Sequence, residues 1–133
     1  MSPRFLDAED VAVIHEYQVG RFGGLGGIRD QRLLDSAVGT PSATFDGEFL
    51  HSDLYAMAAA YLYHLVKNHP FVDGNKRTGV ATALVFLQFN GLELEEAPCE
   101  RLYDATIAVA ESRMSKDDLA VLLRTLSWVE AKD

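Results

Sequence analysis

Apolar residues recur along most of the chain at intervals of three and four, the spacing of a helix with one buried face. Between Asp7 and Gly20, Val11, Ile14 and Val19 share such a face while Glu9, Asp10 and Glu16 fall largely opposite. Asp7 is placed to cap that helix. A shorter helix opened by Asp30 carries Leu33, Leu34 and Val38 inward and ends at Gly39-Thr40-Pro41. From Ser52 or Asp53 to about Asn68 the chain is dense in alanine, with Leu54, Met57, Tyr61, Leu62 and Leu65 at helical spacings, which predicts a central, heavily buried helix. Asn75 opens a fourth helix that runs to Asn90-Gly91 and presents Val80, Ala83, Leu84, Phe86 and Leu87 to the core. Segments from Pro98 to Arg113 and from Ser115 to Val129 complete the set, the latter opened by Ser115 with Asp118 as a capping-box variant.

Two stretches break this pattern. Arg21-Phe22-Gly23-Gly24-Leu25-Gly26-Gly27 holds four of the ten glycines, too many for a helix interior, and reads as a loop with special backbone angles. Within residues 41–50, Phe45-Asp46-Gly47-Glu48-Phe49 places Asp-Gly between aromatic flanks and predicts a tight hairpin, the one strand candidate of note. The expected fold is all-α, a bundle of about six helices with a small β-hairpin-like flap, forming a single domain over residues 1–133.

Composition narrows what this bundle can do. With 48% hydrophobic residues in 133, the chain can bury a core without disulfides or structural metal. Twelve Lys and Arg against 20 Asp and Glu give a net charge of -8, which argues against broad capture of nucleic acid or an anionic membrane. Val80 to Phe89, the longest apolar stretch on a helix, carries Thr82 and Gln88 and is too short to span a bilayer. The lone Cys99 and the polar, acidic N-terminal residues suit a reducing cytoplasm.

Candidate chemistry is concentrated between the two core helices, in His69-Pro70-Phe71-Val72-Asp73-Gly74-Asn75-Lys76-Arg77. A helix N-terminus points free N–H groups and the positive end of its dipole outward, and Gly74 lets an anion approach the backbone. Lys76 and Arg77 in the first helical turn are unfavourable there unless a polyanion offsets them. Asp73 is an oxygen ligand of the kind that holds Mg²⁺ jointly with substrate phosphates. His69, at the exit of the preceding helix, is placed to take a proton from an attacking hydroxyl. His64 and His69 are five residues apart, which misses the one-face geometry of a helical metal pair, and His15 and His51 are isolated. Tyr61, Tyr63, Phe86, Phe89 and Trp128 fit packing better than base stacking, since no basic residues interleave with them.

The nonapeptide resembles the Fic motif, His-x-Phe-x-Asp/Glu-Gly/Ala-Asn-Gly/Lys-Arg. With Arg21-Phe22-Gly23-Gly24, Gly27-Ile28-Arg29-Asp30, the flap from Pro41 to Gly47 and Thr78, the likeness extends from about His15 to Leu126 and is similar to the death-on-curing branch of the Fic fold. Lys76 stands where most Fic adenylyltransferases have Gly, and Val80 stands where many carry a second Arg. The resemblance implies a toxin that uses ATP and Mg²⁺ to phosphorylate a Thr of elongation factor Tu, with a Phd-like antitoxin as partner; the alternative is AMP transfer to a target hydroxyl. It implies His69 as base, Asp73 as Mg²⁺ ligand, Gly74 and Asn75 as the anion-binding turn, and Lys76 and Arg77 as holders of nucleotide phosphates. Phe71 is expected to anchor the loop, and the flap from Pro41 to Phe49 to receive the target as an added strand. A phosphate-binding or docking module without turnover is a third reading, against which the intact His69 stands. The self-inhibitory pattern of restrained Fic proteins has no full match, since Thr44 and Glu48 have the spacing but Phe49 follows.

Overall fold

Helix α1 (Ala8–Phe22) begins where Asp7 and Asp10 cap one another reciprocally, the Asp7 carboxylate accepting from the Asp10 amide. In this computed structural model, which describes residues 2–96 and 99–132, five further helices follow: α2 (Gln31–Gly39), α3 (Leu54–Asn68), α4 (Asn75–Phe89), α5 (Glu100–Ala110) and α6 (Lys116–Thr125). Aspartates open α2 and α3 as well: Asp30 accepts from Arg32 and Leu33, and Asp53 from Ala56 while pairing with Arg124 at 2.8 Å.

Helix α3 is the axis of the fold, and α2, α4, α5 and α6 all pack on it. Its residues Met57 to Leu62 are buried without a break, three of them alanines, so neighbouring helices approach it from every side. Phe86 and Leu87 of α4, Leu102 and Val109 of α5, and Leu119 and Leu123 of α6 close over it. The N-terminal segment is stapled down by two side chains: Tyr61 Oη accepts from the Leu6 N–H and donates to the Leu6 carbonyl, and the Asn90 amide does the same for Arg4. Burial pushes the Tyr61 hydroxyl up to about 12.

The flap forms as expected. Strands β1 (Thr44–Phe45) and β2 (Glu48–Phe49) pair antiparallel, and Asp46 and Gly47 both take positive φ, the requirement of a type I′ turn. Three boundaries differ from the sequence reading. Helix α1 passes through Gly20 to Phe22, because Gly23, with φ +87°, is the residue that terminates it by donating to the Val19 carbonyl. Helix α5 stops at Ala110, short of Arg113, with Ser112 in a left-handed conformation; its expected start, Pro98, lies outside the described residues. The expected helix from Ser115 to Val129 ends at Thr125, and residues Trp128–Glu130 form β4, antiparallel to β3 (Leu92–Leu94). The hairpin is therefore not the sole strand pair. Trp128 Nε1 donates to the Leu123 carbonyl, which closes the helix and turns the aromatic and β-branched pair Trp128-Val129 into the ladder. Among the described residues, no helix is long and apolar enough to cross a membrane.

Candidate active site

Helix α3 cannot continue past His69, because the proline that follows disfavours helical geometry in the residue before it. His69 instead takes a left-handed conformation with φ 51°. Its amide still donates to Leu65, and its carbonyl, with that of Asn68, is held by the guanidinium of Arg29 at 2.7 and 3.0 Å. A cation on the last carbonyls of a helix is favourable for both hydrogen bonding and the dipole. The exposed imidazole is thus fixed at its base by a residue forty positions earlier.

The residues after His69 are clasped by the glycine-rich loop. Pro70 O accepts from Arg29 and Asp30, Val72 donates to Gly27, and Ile28 bridges Phe71 as an isolated antiparallel pair. Phe71 is 1% exposed, as expected of an anchor. Asn75, assigned from sequence to an anion-binding turn, is buried, and its side chain faces backwards: Oδ1 accepts from the Phe71 N–H at 2.9 Å and Nδ2 donates to the Phe71 carbonyl at 3.0 Å. Asn75 thereby closes the loop onto the first turn of α4.

Asp73 projects outward on this frame. Its Oδ2 accepts from the Leu25 amide and its Oδ1 from the Gly74 amide. These two bonds, with Arg77 nearby, hold its carboxyl below the usual carboxylate range. A Cβ on Gly24 would sit 2.8 Å from Asp73 Oδ2, and its φ is +115°, so this loop position demands glycine. Arg77 reaches Gly23 O at 3.5 Å and lies over the exposed ring of Phe22.

His69, Asp73, Gly74, Asn75, Lys76 and Arg77 line one cleft of about 220 Å³. A second recess of about 270 Å³ is bordered by His69, Asn75 and Lys76 together with Val66, Lys67 and Ala110. Helix α4 opens with Gly74 in a left-handed conformation and has no side-chain cap, unlike α1, α2, α3 and α6. Its first-turn amides therefore suit an anion. Both Asp73 oxygens keep a lone pair beyond the amide bonds, which fits one carboxylate sharing a Mg²⁺ with phosphate oxygens; among the described residues no group of three or more His, Cys, Asp or Glu forms a free-standing metal site. Val80 is buried in the core.

His64 does not join His69. Its Nε2 meets Lys116 Nζ at 3.1 Å, a contact that requires a neutral ring, and burial with Lys116 and His51 nearby lowers its pKa from 6.5 to about 4. His51 shifts the same way through burial and Lys116, opposed by Asp117. An unfolded chain takes up these protons at higher pH than the folded one, so this contribution is complete above about pH 6.5 and is lost as the pH falls towards 4. His64 is half-buried, so solvent screening leaves an effect of about 1 kcal/mol at pH 5. Thermal unfolding at pH 7 and pH 5 should show the His64→Gln variant losing about 4 °C less than the unsubstituted protein; equal losses contradict the assignment.

His15 is the residue that sequence reasoning passed over. It is 2% exposed on α1, its ring stacks on Phe71 with centroids 3.8 Å apart, and Nε2 donates to the Asp73 carbonyl at 2.7 Å. The signal was its place in the i, i+4, i+8 series Val11, His15, Val19, a polar ring on an inward face. Arg29 was seen only as part of a motif, and its hold on His69 had no local signature.

A model described as the Fic/DOC family matches residues 5–87. The chain is 32% identical over 123 residues to the protein kinase doc of Escherichia phage P1, covering 92% of this chain and 95% of that one. It is 40% identical over 120 residues to the toxin Doc of Mycolicibacterium smegmatis, covering 90% of each.

Proposed function

The chain belongs to the Fic/Doc family, and from that membership we propose that it is the toxin of a toxin–antitoxin pair, a phosphotransferase that moves the γ-phosphoryl of ATP to a Thr hydroxyl of a translation factor. Elongation factor Tu is the target that the family resemblance favours, and a Phd-like protein the antitoxin. The observation that carries the reading is the uncapped N-terminus of α4, which opens into one cleft with His69, Asp73, Lys76 and Arg77.

In this reading the triphosphate lies against the first-turn amides of α4, and Lys76 and Arg77 offset its charge. His69 removes the proton from the acceptor hydroxyl, whose oxygen attacks the γ-phosphorus. The bond to the oxygen bridging the β- and γ-phosphates breaks, and ADP leaves. Asp73 is the residue that would hold Mg²⁺, which when bound shields phosphate charge. The flap, with Phe45 exposed on β1, offers an edge on which the target chain adds a strand.

Incubating the protein with elongation factor Tu and ATP labelled at either the α- or the γ-phosphate tests the reading. Label from the γ-position alone, with a target mass increase of one phosphate, is the expected outcome. Transfer of the α-label means AMP transfer and overturns the kinase assignment.

A further inference from the structure

The peptide between Asp73 and Gly74 sits at the edge of the cleft, and its two ends face opposite ways. Its carbonyl oxygen turns inward to His15 Nε2, at 2.7 Å, and its N–H turns outward to Asp73 Oδ1, at 2.9 Å. At 2.7 Å two lone pairs would repel, so the hydrogen is on Nε2. Glycine adopts either sign of φ with little steric penalty, which makes this peptide the most easily turned in the loop. Reversed, it would aim a carbonyl oxygen at the place where the helix amides receive an anion and would release Oδ1 from its amide donor.

We propose that His15 is a positioning residue for the phosphate site: by donating from Nε2 to the Asp73 carbonyl while stacked on Phe71, it holds the 73–74 peptide in the orientation that keeps the cleft free of carbonyl oxygen and fixes the Asp73 carboxylate. The ring is placed for this on both faces of the problem. Phe71 lies parallel to it, within 4°, and is itself pinned by Asn75. A Cβ on Gly74 would meet His15 Nε2 at 3.7 Å and Val19 Cγ2 at 3.8 Å, so α1 also forms the wall behind the turn. The ligand named here, a nucleotide triphosphate with Mg²⁺, rests on the phosphate-transfer reading above.

Two substitutions separate the donor from the packing. His15→Phe keeps an aromatic ring for Phe71 and loses the donor, whereas His15→Gln keeps a donor of similar reach and loses the stack. Titration calorimetry with MgATP should show binding weakened about tenfold in His15→Phe, and within about threefold of the unsubstituted protein in His15→Gln, even though His15→Gln melts at lower temperature. A purely structural histidine predicts affinities that follow the melting temperatures, and that result overturns the proposal. Nitrogen NMR of the unsubstituted protein gives a readout that needs neither variant nor ligand: His15 must carry its hydrogen on Nε2, and a ring protonated only on Nδ1 refutes the assignment. The Gly74 amide resonance should move in His15→Phe, where an aromatic ring persists and the donor is lost; an unmoved resonance in that variant also refutes it. If the unsubstituted protein does not bind MgATP, the phosphate-transfer reading falls, and the Nε2 and Gly74 resonances alone decide whether His15 holds the peptide.

Discussion

His69→Ala is expected to abolish growth arrest and to slow phosphoryl transfer by at least about a hundredfold, the usual contribution of a positioned general base. The fold should survive the change. The imidazole is exposed and fills no cavity, and the backbone at this position is held by groups that alanine retains: the amide on Leu65 and the carbonyl on Arg29. The left-handed cost at this position is already borne by histidine and is much the same for alanine, so the melting temperature should fall by less than about 4 °C. Circular dichroism melts, growth curves at matched expression and transfer of γ-labelled phosphate check the three parts separately. A folded variant that still arrests growth removes His69 from the role of base.

Asn75→Ala should be the most damaging single change in the loop for stability. The substitution strips both the donor and the acceptor from Phe71, leaving a buried N–H and a buried C=O with no partner from Asn75. Each unsatisfied buried group costs about 1–3 kcal/mol, so the pair amounts to about 2–6 kcal/mol. Asn75→Asp is a sharper probe, because it preserves the acceptor for the Phe71 amide and brings a carboxylate oxygen against the Phe71 carbonyl. Urea unfolding should place both variants well below the unsubstituted protein, with transfer activity lost along with the loop geometry. A decrease under about 0.5 kcal/mol would mean that the loop reorganises to recover both bonds.

Helix identity was legible because burial here follows a single periodicity: α3 and α4 carry their apolar residues at helical spacings, and caps such as Asp7, Asp30, Asp53 and Ser115 mark the starts in plain letters. The flap was legible for a similar reason, since Asp-Gly states its own turn. Strand β4 was not, because residues 128–130 become a strand only by meeting residues 92–94, and nothing within three residues announces a partner that distant. The line from His69 to Arg77 could be read as phosphate-site grammar from local rules about helix ends. The division of labour inside it could not. Asn75 faces the loop backbone, a direction set by the depth of Phe71 rather than by its neighbours, and the hold of His15 and Arg29 on this loop exists only once α1 and α2 have docked.

That docking also sets when the proposed activity becomes available. The bonds that shape the cleft connect Arg29 to His69, Leu25 to Asp73 and Gly23 to Arg77, across separations of 40, 48 and 54 residues. Contacts of such span are penalised by chain entropy until the intervening helices are in place. A nascent or partly unfolded chain, even one with α3 and α4 already paired, has the letters of the motif without its geometry. The proposed activity is thereby tied to completion of the fold: a molecule caught by a protease or chaperone before the glycine-rich segment closes lacks the cleft that this activity needs.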